Sequence, residues 1–508
     1  MSLFARKPLE TIIAEAHRSD RPTLRPVLGV WNLIALGIGA VIGGGIFVLT
    51  GQAAGANAGP AVVVSMLIAG LVSALAGLCY SEFASAVPVS GSAYTYAYAT
   101  LGELVAWIIG WDLVLEYALS AATVAVGWST HLSALLAEVG LQFPAAWSAA
   151  PGTLVPVPGG EPVTAVFNVP AVIVALGVTA LLIRGVQESA AVNAVIVVVK
   201  VFVVLAVIVC GAFFFDPSHF TPFVPRNTGT FGEYGWSGIL RGAAVIFFAY
   251  IGFDAVSTAA QEAKNPQRDM PIGILGSLAI CTFLYMAVSG VLVGLVPYQQ
   301  LKGQAAPMVM AIDAAAQRVP GTTLGRVMNG LRVAVEIGAL AGITSVMVVT
   351  MLGQSRIFLA MAADGLLPAW VGRIHPRFRT PHFATAITGL GVMLAAGFTP
   401  IGVLGALVSI GTLFAFVIVA AGLLFLRKHR PDLPRPFRTP FVPWVPLGSI
   451  AVNILLMASL PWTTWERLIV WMALGLALYF FYGRRKSVLG GALAPPVPTG
   501  ALSSDAAR

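Results

Sequence analysis

The sequence predicts an all-α integral membrane protein with 12 transmembrane helices, and three observations carry that expectation. The 508 residues are 58% hydrophobic and only 10% charged, with a mean hydropathy of +0.88, values far from those of soluble domains. Apolar runs of about 20 residues, long enough to cross a hydrocarbon core of about 30 Å as helices, recur along nearly the whole chain. The basic residues behind the net charge of +8 concentrate in alternate loops, which orients a multi-pass protein in the bilayer. That distribution argues against a nucleic-acid partner.

In chain order the expected spans are 28–55, 60–86, 93–136, 169–184, 189–214, 237–262, 271–297, 328–361, 382–398, 403–426, 440–460 and 466–483. The third and eighth exceed what a bilayer needs, which implies tilt or extension into water. Ahead of the first span, residues 1–27 carry Arg6, Lys7, Arg18, Arg21 and Arg25 without the short apolar core and cleavage site of a signal peptide. Residues 8–17 suit a short interfacial helix or a plain cytosolic tail. The same set of loops holds Arg184, Lys264, Arg268, Arg356, Arg373, Arg377, Arg379, Arg427, Lys428, Arg430, Arg435 and Arg438, and the tail 484–508 opens on Arg484-Arg485-Lys486. The opposite set holds only Arg226, Lys302, Arg318, Arg326 and Arg467. Both termini are therefore expected in the cytoplasm, in the cell (inner or plasma) membrane, with residues 138–168 outside.

Two places interrupt the apolar pattern. Gly43-Gly44-Gly45 sits inside the first run, where each glycine costs about 1 kcal/mol against alanine in a helix and a whole turn loses its side chains. Phe248-Ala249-Tyr250-Ile251-Gly252-Phe253-Asp254 places a glycine and an acid inside the sixth run. Lipid cannot hydrogen-bond freed peptide groups, so a midplane break has to line a cavity or lie buried in protein. Breaks in corresponding positions five spans apart point to an inverted repeat with a site at the membrane midplane. A half-helix starting near Gly45 would aim free N–H groups and the positive end of its dipole at a carboxylate. The carbonyls of Val41, Ile42, Phe248, Ala249 and Ile251, freed at the ends of the half-helices, would hold an ammonium. Together they describe a zwitterion site. The bland alternative is that the glycines only let helices pack closely, as Gly39-x-x-x-Gly43 could.

Several stretches, in order along most of the chain, resemble the amino acid-polyamine-organocation (APC) transporter superfamily, in particular its cationic amino acid transporter branch. They are Gly37-Ile-Gly-Ala-Val-Ile-Gly-Gly-Gly-Ile-Phe47, Val87-Pro-Val-Ser-Gly-Ser-Ala-Tyr-Thr-Tyr-Ala-Tyr98, Gly110-Trp-Asp-Leu-Val-Leu-Glu-Tyr117, Phe247 to Asp254 with Asn265-Pro-Gln-Arg-Asp-Met-Pro271, Gln354-Ser-Arg-Ile-Phe358 with Asp364-Gly-Leu-Leu-Pro368, and Ile410-Gly-Thr-Leu-Phe414. The resemblance implies two inverted repeats of five helices, 28–214 and 237–426, followed by accessory helices within 440–483. It also implies proton-driven amino acid uptake. The chain departs from the family at Gly44, where Ser or Thr is usual.

The break itself assigns Gly43, Gly44, Gly45 and Ile46, with the freed carbonyls, to substrate binding; the resemblance assigns Phe248 to covering the bound amino acid and places Glu116 near the cavity, where it either favours cationic substrates or bonds a broken-helix backbone group. Asp112 and Glu116 stand at i and i+4 on one helical face, where intramembrane acids are functional by default. Asp254 is expected to cap the second half of the sixth span, and Arg332 with Glu336 to form an i,i+4 pair. Lys200 lies in Val195-Ile-Val-Val-Val-Lys-Val-Phe-Val-Val-Leu205, about 16 Å into the membrane if its helix starts near Ser189. It matches a family lysine at the place where sodium-coupled relatives bind their cation, and is expected to carry the coupling proton and to join the first and eighth spans.

Other chemistry finds no footing. There is no phosphate-binding loop for ATP and no hydrolase or metalloprotease motif. Cys79, Cys210 and Cys281 lie in separate runs, apart from the six histidines, so no metal, disulfide or other cofactor is expected. The expectation is a secondary active transporter, not an enzyme, whose partners are an L-amino acid (neutral or cationic), protons and the lipid bilayer. An exchanger of amino acids or polyamines without net proton coupling, and a non-transporting amino acid sensor, are the alternatives. Oligomeric state and the accepted side chain are not legible.

Overall fold

A computed structural model describes residues 5–8, 28–87, 92–138, 140–141, 143–157, 161–185, 190–304 and 306–489. The interfacial helix considered within 8–17, Arg18, Arg21, Arg25, Ser189 and the tail beyond 489 lie outside the described residues.

The first run divides at its glycines. Helix α1 (Val30–Val41) ends where Ile42 turns extended, with φ −72° and ψ 99°. The chain becomes helical again over 45–58 through wide π turns at Gly45–Leu49 and Ala54–Ala58 around Thr50–Ala53. Gly59, at φ 61°, and Pro60 then turn it into α2 (Val62–Ala86). The long third run is not one span, as expected, but two helices, α3 (Ser92–Thr100) and α4 (Glu103–Glu138). Gly102 at φ 101° makes the turn between them, a backbone region that side-chain-bearing residues avoid. Helix α5 (Val169–Arg184) shows why its ends fall where they do. The Asn168 side chain accepts from the Ala171 N–H at 3.2 Å, Pro170 stands in the first turn, and Gly185 at φ 80° stops the helix. Helix α6 (Ala190–Ala212) follows.

The sixth run also breaks. Helix α7 (Gly235–Ile246) tightens into a 3₁₀ turn at Phe247–Tyr250, Ile251 is extended with φ −63° and ψ 138°, and a second 3₁₀ stretch covers Asp254–Glu262. Then come α8 (Pro266–Leu295), a short α9 (Pro307–Gln317) that the sequence reading did not foresee, and α10 (Thr323–Ala363), whose 41 residues extend about 60 Å. Helices α11 (His382–Phe398), α12 (Ile401–His429), α13 (Trp444–Ser459) and α14 (Trp462–Leu478) complete the bundle. Among the described residues 8 helices are long and apolar enough to cross a membrane, and α1, α5, α11 and α13 are shorter apolar helices. The expected external segment carries a two-stranded antiparallel hairpin, Leu154–Val155 with Val163–Thr164.

The two broken runs lie antiparallel against each other in the interior. Lys264 N–H donates to the Leu28 carbonyl at 2.9 Å, and the Tyr234 hydroxyl and Asn57 amide tie the far ends by bonds to the Gly55 carbonyl (2.6 Å) and Gly232 carbonyl (2.8 Å). Outside them, Val198, Phe202 and Phe283 stand exposed on the outer belt, as lipid-facing residues do.

At the basic end, Glu82 of α2 is fully buried and organises the α12–α13 connection. Arg427 donates to both its carboxylate oxygens (2.9 and 2.7 Å), the Thr439 N–H donates to it at 2.7 Å, and the Arg435 guanidinium lies 3.3 Å away. Breaking a buried pair by removing one partner costs about 3–5 kcal/mol, because the other charge is left uncompensated. The Glu82→Ala variant is therefore expected to unfold at a clearly lower temperature in detergent, with Glu82→Gln in between. A wild-type melting curve for Glu82→Ala would show that the network adds no stability.

Candidate functional site

The breaks meet at backbone level. A Cβ on Gly45 would lie 2.5 Å from the Ala249 Cα, and a Cβ on Gly252, itself at φ 116°, would lie 2.8 Å from the Ala40 carbonyl oxygen. Only glycine permits these approaches. At Gly44 a Cβ would make an ordinary contact, 3.6 Å from a Val124 methyl of α4, and at Gly43 a tight one, 3.0 Å from a Val346 methyl of α10. The triplet thus performs three jobs: Gly45 seats the first break on the second, Gly43 seats it on α10, and Gly44 faces α4 with room for a small side chain.

Two of the carbonyls expected to be free are occupied. The Val41 carbonyl accepts the Tyr285 hydroxyl of α8 at 2.9 Å, and the Phe248 carbonyl accepts the Ile251 N–H at 3.2 Å within its 3₁₀ turn. Ile42 and Ile251 are the extended residues, so theirs are the peptide units turned out of the helical ladder. Ile46, Phe248 and Ala249 are buried.

Beside the breaks is a small void of about 10 Å3, room for about one water molecule. Glu116, Tyr117 and Ser120 of α4, Ile251 and Asp254 of the second break, and Thr350 of α10 line it, and Phe248 does not. The spacing of Asp112, Glu116 and Ser120 explains their shared face. Asp112 is buried beyond the void toward α12, where a Cβ on Gly411 would lie 3.2 Å from its Oδ1. Among the described residues neither Asp112 oxygen nor Glu116 Oε1 has a hydrogen-bond partner. Asp254 is not the simple helix cap expected. Its Oδ1 accepts the Gly252 N–H (3.2 Å) and its Oδ2 the Tyr117 hydroxyl (3.0 Å), so it ties the second break to α4.

Lys200 reaches inward from α6. It is 1% exposed, and its ammonium donates to the Gly39 carbonyl in the last turn of α1 at 2.9 Å. Its methylene stem lies against Gly342 of α10, where a Cβ would come within 2.7 Å of its Cε. Arg332 also reaches Asp313 on the unforeseen α9 at 3.2 Å.

Sequence reasoning missed Tyr117, Ser120, Tyr285 and Thr350. Ser120 was recoverable, standing four residues after Glu116. The two tyrosines and Thr350 act through partners on other helices, which no local pattern announces.

A multi-pass bundle with two interrupted helices meeting at its centre, and a small buried void beside them, is the architecture of a membrane transporter, not of an enzyme. The chain belongs to the amino acid permease family of the APC superfamily, whose pattern it matches over residues 28–479. It is 43% identical to a methylthioribose transporter of Bacillus subtilis and 42% identical to the branched-chain amino acid permease BcaP of the same organism, each over 96% of this chain and 99% of the relative. It is 31% identical to the vacuolar cationic amino acid transporter 4 of Arabidopsis thaliana, over 98% of both chains.

The Gly45→Ala variant is expected to lose the seat of the two breaks, since the clash is with backbone that cannot swing aside; overpacking of this kind costs about 1–3 kcal/mol or more. Gly44→Ser should melt like wild type. Equal melting temperatures for Gly45→Ala and wild type would show that the breaks do not need this contact.

Proposed function

We propose that the protein is a proton-coupled symporter that takes up neutral or cationic L-amino acids across the plasma membrane by alternating access, with both termini in the cytoplasm. The observation that carries the reading is the meeting of the two breaks, with the ammonium of Lys200 on the last turn of α1. The substrate carboxylate lies at the N–H groups of Gly43, Gly44, Gly45 and Ile46, favoured by the positive end of the half-helix that starts there. Its ammonium lies toward the peptide carbonyls around Ile42 and Ile251, with Val41 and Ala249 shaping the backbone behind them. Glu116 faces the side chain of a cationic substrate, and Phe248 swings over the bound ligand. A void of about 10 Å3 is smaller than any amino acid, so its walls separate on loading. The antiparallel meeting of the two broken runs supports residues 28–214 and 237–426 as inverted repeats, with 440–483 accessory.

Protonated Lys200 clamps α6 to α1 and α10. Loss of the proton on the cytoplasmic side removes the charge that makes the bond to the Gly39 carbonyl strong, and α1 is released with the substrate. One charge moved across about 150 mV is worth about 3.5 kcal/mol, enough to concentrate a neutral amino acid a few hundredfold.

In proteoliposomes with an inward proton gradient, labelled branched-chain or cationic amino acids are expected to accumulate above the outside concentration. Lys200→Ala should still bind substrate yet lose the response of uptake to the gradient. Full gradient-driven accumulation by that variant would move the proton site elsewhere, and tight binding without concentrative flux would favour a sensor.

A second test separates side chains. Glu116→Gln is expected to lower uptake of cationic amino acids at least tenfold while sparing neutral ones; equal losses for both would give Glu116 a structural role. The 43% identity to a methylthioribose transporter puts methylthioribose in the same panel. That sugar has neither carboxylate nor ammonium, so its preference over amino acids would overturn the zwitterion site.

A further inference from the structure

On the outer surface, at the basic end, a cleft of about 710 Å3 opens between the first turns of α8 and the segment joining α12 to α13. Arg268 and Gln267 stand at its polar end, and Ile272, Leu275 and Phe437 form its apolar walls. From Arg268 to Gly276 helix α8 rises about 12 Å. The polar sequence Lys264-Asn-Pro-Gln-Arg268 gives way to the apolar run that starts at Met270. The cleft therefore begins at the water boundary and continues into the hydrocarbon. Exposed Ile280 and Phe283 extend its apolar stripe farther along α8 at helical spacing.

Its far wall is anchored. Arg435 and Thr439, on either side of Phe437, are held by Glu82, and the Thr439 hydroxyl also donates to the Leu78 carbonyl at 3.0 Å. Arg268 lines the cleft, and Lys264 and Arg438 are near the lining residues Gln267 and Phe437 in the chain. Lys264, Arg268 and Arg438 are exposed, and among the described residues none of the three is ion-paired, while Arg427 and Arg435 are committed to Glu82. Uncommitted cations at the top of an apolar slot on the basic side of a membrane protein match one chemistry, a phosphodiester headgroup carrying an acyl chain.

We propose that this cleft binds an anionic phospholipid, with its phosphate at Arg268, assisted by Lys264 and Arg438, and one acyl chain laid along Ile272 and Leu275 against Phe437. A zwitterionic lipid offers the same phosphate but brings its own ammonium to a site already rich in cations, so an anionic headgroup is favoured. A soluble anion would leave the apolar walls empty. The floor of the cleft connects it to the moving parts. A Cβ on Gly276 would lie 3.3 Å from Ile34 of α1, so the lipid backs onto the contact between α8 and the half-helix that carries Gly39. This site is independent of the substrate reading, since no residue of the two breaks lines it.

Native mass spectrometry of the purified full-length protein, offered phosphatidylglycerol and phosphatidylcholine with identical acyl chains, tests the proposal. Wild type is expected to retain phosphatidylglycerol preferentially and to melt at a higher temperature with it. Arg268→Ala should retain about fivefold less, the loss of one basic contact at a membrane surface, and Leu275→Trp, which fills the slot, should lose retention of both lipids. Arg268→Gln, which keeps the side-chain bulk, serves if either variant folds poorly. Glycerol phosphate, the headgroup without chains, should neither compete nor shift the melt. Equal retention of the two lipids by wild type, unchanged retention in the variants, or full competition by glycerol phosphate would each overturn the proposal.

Discussion

The contact on which the rest of the structure depends is the one between the backbones at Gly45 and Ala249. An interrupted helix in a bilayer leaves peptide groups that lipid cannot satisfy, and two of them double the problem. Setting the breaks face to face, deep in protein, resolves it for both. Gly45 and Gly252 remove the side chains that would hold them apart, and Tyr285 closes the Val41 carbonyl from α8. The antiparallel crossing of the broken runs and the packing of α4, α8 and α10 around them follow from the need to keep this junction away from lipid.

Polar groups elsewhere in the interior attach neighbouring helices to the junction. Tyr117 brings α4 to the second break through Asp254, and Lys200 brings α6 to the first through Gly39 while its stem fills the space above Gly342 of α10. Both bonds join helices that are distant in sequence. Such bonds are worth about 1 kcal/mol on average in membranes, too little to lock the bundle and enough to bias it. In the proposed cycle that modest strength is what lets one proton shift α1 between two positions.

The basic end is built differently, from many bonds at once. The Lys7 ammonium and the Tyr94 hydroxyl share the carboxylate of Asp364 at 2.8 and 2.7 Å. Glu103 receives Tyr98 and Tyr479, which ties α3 and α4 to the turn after α14. Trp111 stacks on Trp471 at 4.6 Å between ring centres, and the Trp107 indole donates to the Gly475 carbonyl at 2.8 Å, so α14 is fastened along the start of α4. The terminal segments and last helix thus brace α3, α4 and α10 from outside, away from the junction.

The sequence by itself determined the membrane class, most span positions and the two breaks, because each rests on local physics. A run of apolar residues has to leave water, a glycine triplet cannot hold a helix, and acids four residues apart must share a face. Residues 382–398 were legible to the residue for that reason. Where the local signal was ambiguous the reading failed: one glycine, Gly102, splits the third run, and α9, at 11 residues, is too short to announce itself as a span. The tertiary structure alone decided what each break touches. That Gly45 and not Gly44 needs to be bare, that Asp254 bonds α4 instead of only capping its own helix, and that Lys200 finds a carbonyl 161 positions away all depend on how helices distant in sequence lie against one another. Packing geometry between remote segments has no periodicity along the chain, so no pattern in the chain could display it.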